Sequence, residues 1–148
     1  MFVVDTNILA YAADRRSPFQ STCQSLLEEW QSQSSPWFLT WGICYEFLRV
    51  SMHPRVFPSP LSPLEAWSFV ESLLASPGLS MLTATPRHAA VLRELLNRMP
   101  HISRALLHDA EIAVLMREHG ITRIYTHDAH FHRFPFVEPL DPLSARAC

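Results

Sequence analysis

Four carboxylates stand at positions from which a folded chain could aim them into one crevice: Asp5, Glu46, Asp109 and Asp128. Asp5 ends the apolar run Phe2-Val3-Val4, and Asp128 lies just past the β-forming stretch Thr122 to Thr126. Asp109 opens a segment in which Ala110, Ala113, Val114 and Arg117 follow helical spacing and Gly120 supplies the stop. Glu46 falls within a helical stretch that follows another strand. Carboxylates brought together without basic neighbours repel one another. A hard divalent cation removes that repulsion, because Mg²⁺ or Mn²⁺ takes oxygen ligands and commonly combines carboxylates with waters and substrate phosphate. Hydrolysis at phosphorus is the chemistry such a site supports. Singly, each acid has a plainer reading. Asp109 could be a helix cap, and Glu46 could pair with Arg49 one turn on. Asp14, Glu28, Glu29, Glu94 and Glu118 are expected on solvated faces. His127, His130 and His132 alternate along a turn, a pattern not expected to converge on zinc.

The elements that must carry these acids can be read from periodicity. Phe2-Val3-Val4 suits a buried parallel strand. Thr6-Asn7 can cap a short helix from Ile8 to Ala13. Phe19, Cys23, Leu26, Leu27 and Trp30 share a helical face, and Ser34-Ser35-Pro36 breaks it. Trp37 to Thr40 is a second strand, followed by a helix from about Gly42 to Met52. Pro54, Pro58 and Pro60 make His53 to Leu61 a stiff loop. Ser62-Pro63-Leu64-Glu65 is a capping box with Pro at the first helical position, starting a helix that runs to about Ala75. Leu79 to Thr83 is a third strand. Thr85-Pro86 opens another helix bearing Ala89, Leu92, Leu95, Leu96 and Met99, ended by Pro100. A short edge segment is expected around Phe136-Val137, then a Pro-punctuated tail from about residue 135. Strands alternating with amphipathic helices predict a single α/β domain with a mainly parallel sheet. In such sheets ligands bind beyond the carboxyl ends of the strands, where the strand order reverses. Trp37, Trp41, Phe47 and Trp67 are expected to line a wide crevice.

Composition narrows the class further. The chain has 148 residues, 48% of them hydrophobic, enough for one proper core. Its formal charge of −2 lacks the strongly basic footprint of many nucleic-acid binders. All basic residues are Arg and none is Lys, which fits either genomic codon bias or phosphate recognition by bidentate guanidinium. Cys23, Cys44 and Cys148 are an odd number without paired spacing, against a disulfide framework or a cysteine zinc site. Asp5 interrupts the first apolar run, so no signal peptide or membrane span is expected and the protein is expected in the cytoplasm.

With these residues on the page, the sequence resembles the PIN-domain ribonucleases and, within them, the VapC-type toxins of bacterial toxin–antitoxin pairs. Val3-Val4-Asp5-Thr6-Asn7-Ile8-Leu9 resembles the first motif of that family, and Tyr45-Glu46-Phe47-Leu48-Arg49-Val50 the second. His108-Asp109-Ala110-Glu111-Ile112-Ala113, with His119-Gly120, is similar to the third. Thr126-His127-Asp128-Ala129-His130-Phe131, then Arg133-Phe134, is similar to the fourth. Many members carry a further acid where this chain has His130, so the fourth motif here contributes one carboxylate. The resemblance implies a Mg²⁺- or Mn²⁺-dependent endoribonuclease leaving 5′-phosphate and 3′-hydroxyl ends. It implies metal ligation by Asp5, Glu46, Asp109 and Asp128, with Thr6, Asn7 and Thr126 supporting them. Arg49, His53 and Arg55 are candidates for the RNA backbone. The same resemblance implies a homodimer held inactive by a cognate antitoxin whose basic side chain enters the acidic pocket. A degenerate RNA-binding module and a metal-dependent phosphohydrolase of small molecules remain the alternatives.

Overall fold

Val3 and Val4, both without exposed surface, form the central strand β1, because a strand covered on both faces tolerates only apolar side chains. The computed structural model describes residues 1–144; Cys148 and the end of the proline-punctuated tail lie outside the described residues. From β1 the chain runs through α1 (Thr6–Ala13), α2 (Gln20–Ser32), β2 (Trp37–Thr40) and α3 (Trp41–Ser51). It continues with α4 (Pro63–Leu74), β3 (Leu79–Leu82), α5 (His88–Arg98), α6 (Leu107–Glu118), β4 (Arg123–Tyr125) and β5 (Glu138–Leu140). All five strands are parallel, in the order β3-β2-β1-β4-β5. Two strands, β2 and β3, are laid down outward from β1 on one side, then β4 and β5 on the other. The order therefore reverses between β1 and β4, where Val3 pairs with Ile124 and Val4 with Tyr125.

Local signals explain most element ends. The Ser62 hydroxyl accepts from the Glu65 N–H, and the Glu65 carboxylate accepts from the Ser62 N–H at 2.7 Å, closing the capping box that starts α4. Gly120 ends α6 with φ of 68°, a left-handed conformation that costs a side-chain-bearing residue about 1–2 kcal/mol. Thr40 caps α3 by accepting from the Ile43 N–H at 3.0 Å. Gly78 lies so close to the chain before β2 that an added Cβ would sit 2.5 Å from the Ser35 carbonyl.

Three elements depart from the sequence reading. Helix α1 starts at Thr6, capped by Asp5 and not by Thr6-Asn7. The edge strand is Glu138–Leu140, displaced from Phe136-Val137, because Val137 and Phe134 turn inward to the core; its Pro139 is tolerated at a sheet edge. Helix α6 is buried almost all round, through Ala110, Ile112 to Met116 and Glu118. Glu118 is therefore no solvated residue. Its side chain has no exposed surface and accepts from the Thr85 N–H and hydroxyl at 2.9 and 2.6 Å, with His88 Nδ1 at 2.7 Å. It ties the start of α5 to the end of α6.

Candidate active site at the strand-order reversal

The reversal between β1 and β4 opens a cavity of about 290 Å³. Asp5, Glu46, Asp109 and Asp128 all line it, together with Thr6, Asn7, Tyr11 and His108. Each acid arrives from a different element: Asp5 from the end of β1, Glu46 from α3, Asp109 from the first turn of α6, Asp128 from the turn after β4. The sheet edge, and not any local motif, gathers them.

Asp5 is the most constrained of the four. One carboxylate oxygen accepts from the Thr6 N–H at 2.7 Å; the other accepts from the Asn7 amide at 2.9 Å and the Thr126 hydroxyl at 2.7 Å. Asn7 also donates to the Thr126 hydroxyl at 3.1 Å and accepts from the His127 N–H at 3.1 Å, and Thr126 accepts from the Asp128 N–H at 3.0 Å. These bonds pin the end of β1 to the end of β4. Burial pushes the Asp5 carboxyl up to about 6, against the lowering effect of the Thr126 and Thr6 donors, with Asp109 and Asp128 adding repulsion. Asp109 is raised as well, first by burial and then by Asp128. The N-cap of α6 is Leu106, and the Asp109 carboxylate accepts no hydrogen bond among the described residues. Helix position puts Asp109 in the first turn, where the macrodipole favours an anion.

Glu46 is different. Arg49 donates to both its oxygens, Nε to Oε2 at 2.9 Å, and that pairing holds its carboxyl below the usual range. The plainer reading of Glu46 therefore holds, and its carboxylate also lines the cavity while Arg49 stays exposed. His53 and Arg55 do not line the cavity; the His53 ring accepts from the Arg55 N–H at 3.0 Å, in a loop anchored by the buried Phe57. Val50 and Val56 do line it, and Arg49 reaches its wall through the bond to Glu46.

The aromatic crevice is a misreading. Trp37 and Phe47 have no exposed surface, and neither they nor Trp41 nor Trp67 line the cavity. Two residues without an assigned role belong at the site instead. His108, beside Asp109, lines the cavity and has a buried Nε2 without a hydrogen-bond partner among the described residues, in a position where α6 meets Gly42 of α3. His130 brings a ring nitrogen close to Asp109 and Asp128, so that one atom from each of the three lies within 4.8 Å of the others. His127, by contrast, turns to Asp141 at 3.0 Å, against Tyr11 and Phe19. The alternating histidines diverge, yet one of them reaches the acids; the signal was its register with Asp128, two residues away. The donor set is rich in carboxylate oxygen, with Arg49 beside Glu46 and the His130 ring beside Asp128, which fits a hard divalent cation.

Residues 2–137 match the family model for the PIN domain. Ribonuclease VapC43 of Mycobacterium tuberculosis is 32% identical over 145 residues, covering 95% of this chain and 97% of that protein. Ribonuclease VapC48 of the same species is 29% identical over 140 residues, covering 95% and 96%. Among solved structures, M. tuberculosis VapC20, described as a sarcin-ricin loop cleaving toxin, has a TM-score of 0.65 at 17% identity over 93% of this chain and 98% of that one. VapBC2 from Rickettsia felis, bound to a DNA fragment from its promoter, has a TM-score of 0.63 at 18% identity, covering 95% and 98%.

Proposed function

The chain belongs to the PIN-domain family, among its VapC-type members, and from that premise we propose that it is a metal-dependent endoribonuclease, the toxin of a toxin–antitoxin pair. The observation that carries this reading is the meeting of four carboxylates from four separate elements in one cavity at the strand-order reversal. Asp5, Glu46, Asp109 and Asp128 would hold Mg²⁺ or Mn²⁺. When bound, such an ion supplies charge neutralisation, activation of water and stabilisation of the leaving oxygen at phosphorus.

The chain's own residues supply position. Asn7 and Thr126 fix the Asp5 carboxylate in one rotamer, and the buried helix α6 holds Asp109 on the wall of the same cavity. Arg49, bonded to Glu46, and Arg55, in the loop after α3, would meet backbone phosphates. Arg49 can do so by trading one carboxylate oxygen of Glu46 for a phosphate oxygen. A negatively charged, half-enclosed cavity would also accept a basic side chain from an antitoxin, and a homodimer is part of the same proposal.

Asp109→Asn removes one ligand charge and almost no volume. It should abolish Mg²⁺- or Mn²⁺-dependent cleavage of RNA while leaving circular dichroism unchanged. Wild-type cleavage by the folded variant would refute the assignment. Hydrolysis of small phosphate esters without cleavage of structured RNA would favour a phosphohydrolase. Growth inhibition on expression, relieved by the product of the adjacent gene, tests the toxin role.

A further inference from the structure

We propose that His130 contributes an imidazole nitrogen to the ion held by Asp109 and Asp128, and that this biases the site away from Mg²⁺ toward Mn²⁺ and later transition ions. The inference rests on the reading of the cavity as a divalent-cation site. Its basis is geometric: one ligand atom each from Asp109, Asp128 and His130 lie within 4.8 Å of one another. Donors on one octahedral Mg²⁺-sized ion stand about 3 Å apart when adjacent and about 4 Å apart when opposite, given bonds of about 2.0–2.1 Å, so the three atoms must close in by up to about 2 Å, within reach of side-chain rotation.

The backbone builds this arrangement. Residues Ala129–Arg133 form a single 3-10 turn capped by Asp128, which accepts from the His130 N–H at 2.8 Å. Phe131 and Phe134 are buried beneath the turn and fix its orientation. His130 is thereby held on the Asp128 side, its Nδ1 3.3 Å from Asp128 Oδ1, with the side chain 54% exposed and free to rotate onto an ion. Imidazole suits transition ions, whereas Mg²⁺ takes oxygen and keeps its waters. An aspartate at 130 would add charge and serve Mg²⁺; a histidine adds none and serves a softer ion.

The competing account makes His130 only a hydrogen-bonding partner of Asp128. Pulsed EPR of Mn²⁺ bound to the full chain, with Mg²⁺ competition, separates the two without any RNA. Wild type should show nitrogen coupling to Mn²⁺, and His130→Asp and His130→Gln should lose it. The preference for Mn²⁺ over Mg²⁺ should fall in His130→Asp on the order of tenfold, the low end of what loss of even an outer hydrogen-bonding partner costs a metal site. Mn²⁺ binding without nitrogen coupling, or coupling that survives in both variants, overturns the proposal and leaves the nuclease reading standing. Failure of wild type to bind Mn²⁺ overturns both.

Discussion

Asp5 makes the metal-free protein sensitive to pH in a direction opposite to most carboxylates. Its carboxyl stands at about 6, against an ordinary 3.8, because it is buried. The unfolded chain therefore gives up this proton first, and between those values the folded state binds more protons. Stability from this group must fall as pH rises, starting near 3.8 and levelling off above 6. At about 1.36 kcal/mol per pH unit, the full cost of ionising Asp5 in the fold is about 3 kcal/mol. About half of it, roughly 1.4 kcal/mol, is incurred between about pH 5 and pH 7.5. Asp109, also raised, contributes with the same sign. Glu46, lowered by its Arg49 hydrogen bonds, acts in the opposite sense only at more acid pH. Urea unfolding in chelator at the two pH values should thus show wild type less stable at the higher one. Asp5→Asn should remove the Asp5 share of that slope. Its absolute gain at neutral pH is smaller, about 1–2 kcal/mol, because an amide in place of the second oxygen faces the Asn7 amide donor, 2.9 Å from that oxygen. With saturating Mn²⁺ the wild-type slope should reverse, since the ion binds the ionised carboxylates; at about a hundred times Kd it adds about 2.7 kcal/mol. An Asp5→Asn protein with the wild-type slope in chelator would refute the reasoning, as would wild type that gains stability from pH 5 to 7.5 under those conditions.

Two further predictions concern the scaffold. Gly78→Ala should destabilise the chain by on the order of 2 kcal/mol, because its Cβ would meet two backbone carbonyls, Ser35 at 2.5 Å and Gln33 at 2.9 Å; an unchanged melting temperature would contradict that close approach. Glu118→Ala should cost about 2 kcal/mol in urea unfolding, since it takes the shared acceptor from the partly buried Thr85 donors and His88, whereas Glu94→Ala, exposed on α5, should cost under about 0.5 kcal/mol.

The elements of this fold were legible where the chain carries its own punctuation. The Ser62–Glu65 capping box, Gly120 and the strand from Trp37 to Thr40 depend on residues a few positions apart, and local sequence is enough to place them. The four acids could be read because strand ends and helix starts in a parallel sheet share one edge. Which side chain meets which is another matter. Asn7 and Thr126 are 119 residues apart, and their bond exists only because β1 and β4 are neighbours at the reversal of strand order. Glu118 follows helical spacing on a chain of polar neighbours, yet α5 covers it; nothing near it in sequence says that Thr85 and His88 will arrive. Trp37 and Phe47 have the composition of an exposed aromatic groove and the burial of a core. His130 diverges from His127 because the buried Phe131 and Phe134 set the rotation of the turn between them and the solvent. Periodicity encodes which face of an element is apolar. What lies against that face is decided by the packing of distant segments, and it is there that the charges of this site are brought together and the cost of gathering them is set.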